Sequence, residues 1–166
     1  MKDENYFFHQ TPEQLAKLLI DKVNILPNDR LYEPFSGEGA FYYNFPLTNP
    51  KFQSEIEIGL DYKDFIYDYD WVISNPPFKL GEERTNAFWY LLNYFTDRAN
   101  KGVAFLGNDY CLSTLTPKRM KILKEKGWDL KKIIVCSVKK WRGRYFFMIF
   151  EKNILEGCLD YIEGNF

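Results

Sequence analysis

The chain is poor in the residues that build metal centres and covalent frameworks. Its 166 residues include one histidine, His9, and three cysteines, Cys111, Cys136 and Cys158. An odd count without paired ligand spacing supports neither a disulfide framework nor a zinc site, so the cysteines are expected to be reduced and structural. No apolar run approaches the roughly 20 residues needed to cross a bilayer, and the N-terminus carries Asp3 and Glu4 where a targeting segment would have a basic flank and an apolar core. A cytosolic protein without membrane attachment is expected. Internal repeats and low-complexity linkers are also missing, and the length suits one domain over 1–166 with a real hydrophobic core. Aromatic residues, by contrast, make up 19% of the chain, enough for stacking surfaces as well as core.

Net charge is nearly balanced at -1, but the balance hides a bias. Of the 22 basic and 23 acidic residues, eleven Lys or Arg and only two acids, Glu125 and Asp129, fall between Pro117 and Arg144. Such a block either attracts phosphates or forms a solvated helix face with its loops.

Strand and helix signals alternate along the chain. Thr11-Pro12-Glu13-Gln14 reads as a helix start with Thr11 as the cap, and Leu15, Leu18, Leu19 and Val23 give that helix one apolar face until Pro27 ends it. Strands are expected at Arg30 to Glu33, Ser54 to Ile58, Trp71 to Ser74 and Gly102 to Leu106, with helices near Ala40 to Asn44, over Glu82 to Asn100 and over Lys118 to Lys126. Two last strands, Lys132 to Val138 and Arg144 to Glu151, flank a short connection that suits an antiparallel hairpin. The pattern implies an α/β fold with a mostly parallel sheet, one antiparallel strand at its edge, and a C-terminal tail.

Two segments carry chemistry. Glu33-Pro34-Phe35-Ser36-Gly37-Glu38-Gly39 places an acid and a glycine turn at the carboxyl end of the first strand, where open α/β sheets bind ligands. Glycines allow close backbone approach, and a carboxylate there suits an ammonium group. Taken alone, this is also an ordinary tight strand-to-helix turn. Asn75-Pro76-Pro77-Phe78 is more specific. An amide oxygen from Asn75 and the carbonyl of Pro76 are suited to accept hydrogen bonds from an aromatic amine, turning its lone pair towards an electrophile. The prolines stiffen the loop, and Phe78 offers a flat face for an extruded base.

These motifs resemble those of adenine-specific DNA methyltransferases. Glu33-Pro-Phe-x-Gly-x-Gly-x-Phe41 is similar to the family's cofactor motif, Asn-Pro-Pro-Phe to its catalytic motif, and the spacing from Glu55 through Asp61 to Asn75 to that of small phage-type members. The resemblance spans about Thr11 to Phe78. It implies a Rossmann-like class I methyltransferase fold, S-adenosyl-L-methionine as cofactor, and methyl transfer to the N6 amine of adenine. By position it assigns the cofactor's ribose hydroxyls to Glu55 and its adenine amino group to Asp61, with Glu57 and Asp64 as rivals. Thr11, with Phe7 and Phe8 beside it, corresponds to the N-terminal motif that closes over the methionine end. Family members usually carry a further recognition region of a hundred or more residues, which is not expected in this chain, so a specificity subunit or a homo-oligomer is an open expectation.

In the hairpin connection, Lys139, Lys140, Trp141 and Arg142 interleave cations with an aromatic, a combination suited to phosphates and stacked bases; the same residues would also make a plain exposed loop. Tyr145 and Phe146 read as core strand residues. His9, Asp109 and Tyr110 are not assigned to the site. Alternatives that keep the fold are methylation of RNA bases or of glutamine in protein, and a non-catalytic partner subunit of a methyltransferase.

Overall fold

The computed structural model describes residues 10–80 and 86–162. In chain order the elements are α1 (Glu13–Ile20), β1 (Leu31–Glu33), β2 (Lys51–Gln53), β3 (Trp71–Ser74), α2 (Ala87–Thr96), β4 (Gly102–Asn108), α3 (Asp109–Ser113), α4 (Pro117–Glu125), β5 (Trp128–Cys136) and β6 (Tyr145–Lys152). Short 3-10 turns occupy Tyr42–Asn44, Ile56–Ile58 and Tyr62–Asp64.

One six-stranded sheet runs in the order β2-β1-β3-β4-β6-β5. The β1, β2, β3 and β4 pairings are parallel, and β6 is antiparallel to both β4 and β5. Apolar strand residues alternate between two faces. Val72, Val103 and Phe105 join Phe88, Leu91 and Phe95 of α2 and Met120 and Leu123 of α4 on one face, while Trp71, Ile73, Ala104 and Leu106 join Ala16, Leu19 and Ile20 of α1 on the other. Strands covered on both sides must read as continuous apolar runs, as β3 and β4 do.

The antiparallel strand is not at the edge. β6, Tyr-Phe-Phe-Met-Ile-Phe at its start, is buried over six consecutive residues and lies between β4 and β5. β5 takes the edge, because it exposes Lys131, Lys132 and Val135 and breaks register between Leu130 and Lys132. Lysines and a bulge are the usual means of blunting an open edge.

Other local expectations also differ. The second strand covers Lys51–Gln53, not Ser54 to Ile58: after Ser54, Glu55 caps a 3-10 turn, and the Leu60 N–H returns to the Glu55 carbonyl at 3.1 Å. Ile56 and Ile58, whose alternation suggested a strand, lie in solvent. Pro12 caps α1, its carbonyl accepting from the Ala16 N–H at 3.0 Å, so Thr11 falls outside the helix; Leu18 points outward. Asp109 and Tyr110 begin a one-turn helix capped by the Asn108 side chain. β5 starts at Trp128, and the tail folds back along it, with the Cys158 N–H donating to the Leu130 carbonyl at 2.8 Å. Cys111 and Cys136 are buried free thiols, whereas Cys158 is exposed. Glu82 to Thr85, at the start of the helix expected over Glu82 to Asn100, and Phe7, Phe8 and His9 lie outside the described residues. No helix among the described residues is long and apolar enough to cross a membrane.

Candidate active site

Sheet topology gathers the motifs at one edge. β1, β3 and β4 are parallel, and β5 runs with them because both β4 and β5 oppose β6. Glu33, Asn75, Asn108 and the 137–144 connection therefore all follow carboxyl ends of strands on the same side.

The glycine turn is held by backbone bonds that need its two glycines. Ser36 N–H donates to the Ser54 carbonyl at 3.0 Å and Gly39 N–H to the Ser36 carbonyl at 2.6 Å. Gly37 and Gly39 sit at φ 51° and 81°, a region that costs other residues about 1–2 kcal/mol. A Cβ at Gly39 would meet the Tyr43 ring at 2.5 Å. Two carboxylates flank this turn. Glu33, 2% exposed, accepts from the Tyr42 N–H at 2.6 Å. Burial pushes its pKa up to about 8, against the opposing pull of the Tyr42 and Phe41 backbone, with Glu55 adding to the rise. Glu55, also buried, accepts from the Gly37 N–H at 2.6 Å and the Glu57 N–H at 3.3 Å. The closed 55–60 loop delivers Asp61, half-buried, which caps the next 3-10 turn through Lys63 N–H at 3.0 Å. Its rivals Glu57 and Asp64 are exposed. Pro34 is buried and Phe35 packs edge-on against Tyr62, with centroids 5.1 Å apart.

Across from the turn, Asn75 through Phe78 leaves β3 without regular structure, Pro76 buried and the other three half-buried. The Asn75 Nδ2 donates to Thr11 Oγ1 at 3.2 Å, a link across 64 positions of sequence. Ser74 Oγ approaches the Phe35 carbonyl at 3.5 Å, so the two loops touch at their roots. Phe78 packs against both core clusters, and part of its ring is committed to the fold. A cleft of about 480 Å³ opens between the head of α1 and the glycine turn, lined by Thr11, Pro12, Glu38, Gly39 and Tyr43 among others.

The basic segment does not form one surface. Lys124 pairs with Asp129 and Lys126 with Asp97 at the opposite end of the sheet, and Arg119 donates to the Thr114 carbonyl while lying over the Trp89 ring. Lys131 and Lys132 line the β5 edge. On the connection after the carboxyl end of β5, Lys139, Lys140 and Arg142 are all exposed, with Trp141 half-buried against Tyr145, centroids 4.5 Å apart. Arg144, on the same connection, pairs with Asp109 at 3.2 Å, which brings the start of α3 to this rim. No sequence signal marked Asp109 for this contact. Among the described residues no group of three or more His, Cys, Asp or Glu is placed to hold a metal.

No protein-family model and no curated protein matches the chain. Solved structures do. A candidate RNA methyltransferase from Pyrococcus horikoshii aligns with TM-score 0.65 and 19% identity, covering 87% of this chain and 86% of the other. A candidate class I S-adenosylmethionine-dependent methyltransferase from Listeria monocytogenes aligns with TM-score 0.63 and 17% identity over 89% of this chain and 62% of its own. A modification subunit of a candidate type I restriction enzyme from Vibrio vulnificus aligns with TM-score 0.62 and 12% identity over 87% and 44%. The chain thus spans less than two thirds of the Listeria and Vibrio proteins. At these identities the likeness is one of architecture: the chain has the Rossmann-like fold of these methyltransferase structures.

Proposed function

We propose that the protein transfers a methyl group from S-adenosyl-L-methionine to the N6 amine of adenine in nucleic acid, with DNA as the first substrate to test. The observation that carries this reading is the placement of Asn75, its amide fixed by Thr11 on a two-proline loop, at the same sheet edge as the glycine turn and its buried acids. Bound there, the cofactor supplies an electrophilic methyl group. The residues present suit it: Glu33 is a buried carboxyl with no ion pair among the described residues, fitted to an ammonium, and Glu55 and Asp61 offer carboxylate oxygens for hydroxyl and amino groups. Thr11, Pro34, Phe35, Ser36, Gly37 and Gly39 complete the wall.

The chemistry left to this chain is orientation. Adenine's amine is a poor nucleophile because its lone pair is delocalised into the ring. Acceptance of its N–H bonds by the Asn75 amide oxygen and the Pro76 carbonyl favours a tetrahedral nitrogen. Phe78 stacks the base, and the Lys139, Lys140, Trp141 and Arg142 rim receives the backbone.

A second reading, RNA as substrate, is favoured by the Pyrococcus structure, which matches over nearly its whole length. The Vibrio likeness keeps a specificity partner in view. Labelled methyl transfer to duplex DNA, structured RNA and protein, followed by identification of the modified residue, tests all of these. N6-methyladenine in DNA or RNA supports the reading, and label found only in protein overturns it.

A further inference from the structure

Strand register sets an ion pair on the carboxyl edge of the sheet. Asn108 of β4 faces Tyr145 of β6, and one step beyond, Asp109 Oδ1 and Arg144 Nη2 meet at 3.2 Å. Gly143, at φ 83°, passes beside the same carboxylate, with Asp109 Oδ2 3.8 Å from where a Cβ would stand. On the other side of β4, Ser74 faces Phe105, so Asn75 leaves the sheet level with Leu106. Arg144 therefore stands two strands across from Asn75 and about three residues further out, roughly 10 Å in each direction. Both charged side chains are largely in solvent, 74% exposed for Arg144 and 53% for Asp109. An ion pair this exposed is worth about one- to fivefold in an equilibrium, too little to be the clamp that fixes the connection. The contact engages one nitrogen of a guanidinium that carries five N–H donors in a fork matched to phosphate oxygens.

Among the described residues of the basic segment, Arg144 is the cation held by an acid at this edge. Lys124 and Lys126 pair with Asp129 and Asp97 at the opposite end, and Lys139, Lys140 and Arg142 stand exposed on the connection that Arg144 closes. A backbone phosphate offers a guanidinium what Asp109 offers, an oxyanion, and can do so through two oxygens. We infer that Arg144 is a phosphate contact for the nucleic-acid backbone and that Asp109 is its counter-ion in the free protein, given up to the phosphate on binding. This inference rests on the proposed nucleic-acid substrate. It makes Asp109 a brake on affinity, because each binding event must first open the pair.

Arg144→Gln and Asp109→Asn should act with opposite sign. Fluorescence anisotropy with a labelled DNA duplex, and with a labelled structured RNA, measures affinity across a salt series. Arg144→Gln should weaken binding and lower the slope of log affinity against log salt by about 0.9 for the DNA duplex. Asp109→Asn removes the competing carboxylate and leaves Arg144 in place, so affinity at low salt should rise by about two- to fivefold with the slope of the wild type kept. If the pair were a strut for the connection, both variants would weaken binding, so losses of the same sign overturn the exchange. A wild-type slope in Arg144→Gln overturns the phosphate contact, and a wild-type affinity in Asp109→Asn overturns the role of Asp109. Both variants should melt close to the wild type, as an exposed pair requires; a large loss of stability in either would mark the pair as structural and overturn the exchange. Wild-type protein that binds neither DNA nor RNA would instead overturn the nucleic-acid reading itself, and the phosphate contact with it.

Discussion

Glu33→Gln separates a buried proton from everything else the glycine turn does. The wild-type carboxyl is 2% exposed and holds the Tyr42 N–H at 2.6 Å, and burial moves its pKa from 4.5 to about 8. The folded protein therefore keeps a proton that the unfolded chain releases above pH 4.5. Where the native state binds more protons, stability falls as pH rises. The carboxyl's contribution is fully present below about pH 4.5 and lost by pH 8, at up to about 1.4 kcal/mol per pH unit and at most on the order of 5 kcal/mol in total. Against a typical domain stability of about 5–15 kcal/mol this is large. Glutamine keeps an oxygen for Tyr42 but does not titrate, so any packing cost is constant with pH. Urea unfolding between pH 5 and 9 should show the wild type losing stability steeply relative to the variant. Cofactor binding gives a second readout. An ammonium placed at Glu33 ionises the carboxyl, so calorimetry at pH 7 in buffers of different ionisation enthalpy should show about one proton released by the wild type and none by the variant. Parallel pH profiles for the two proteins would refute the buried proton.

Asn75→Ala should lower turnover about a hundredfold or more with little change in S-adenosylhomocysteine affinity, because it removes a preorganised acceptor used in the transition state; single-turnover methylation kinetics measure this. Phe78→Ala should cost about 1–3 kcal/mol in substrate affinity and, unlike the Asn75 variant, also lower the melting temperature, since Phe78 packs against both core clusters. Lys139, Lys140 and Arg142 together to Ala should flatten the salt dependence of duplex binding by about 0.9 per lost phosphate contact, while Lys124→Ala and Lys126→Ala, whose charges face Asp129 and Asp97, should leave the slope alone. Gly102→Ala should destabilise by about 1–3 kcal/mol or more in denaturant unfolding, because a Cβ there lies 2.0 Å from the Trp71 ring.

The turns that frame the candidate site were more legible in the sequence than the sheet around them. Glycine turns and a double proline after an apolar run are local constraints, so Glu33 to Gly39 and Asn75 to Phe78 could be placed at strand ends directly. Strand order is a non-local property, and the clue that β6 is central was available only in comparison: Tyr145 to Phe150 is apolar without a break, whereas β5 carries Lys131 and Lys132. Ile56 and Ile58 misled because alternation does not say whether a face is covered. The Thr11 to Asn75 contact joins residues 64 positions apart, and no local pattern encodes it. Counting the basic segment as one unit failed for a related reason, since a strand and a helix running in opposite directions carry its charges to both ends of the sheet.

The interior position of β6 also dictates when the protein can be finished. β4 acquires its second neighbour only from Tyr145–Lys152, the last strand among the described residues. Until that segment leaves the ribosome, the nascent sheet β2-β1-β3-β4 presents an open row of N–H and C=O groups along an apolar strand, the kind of edge that captures foreign strands. A chain cut within the 137–144 connection would lack the strand that pairs with both β4 and β5, leaving a gap between them. A separate peptide carrying the β6 sequence should then fill it in trans, turning the same strand that closes the fold into a handle by which the fold can be opened and reassembled.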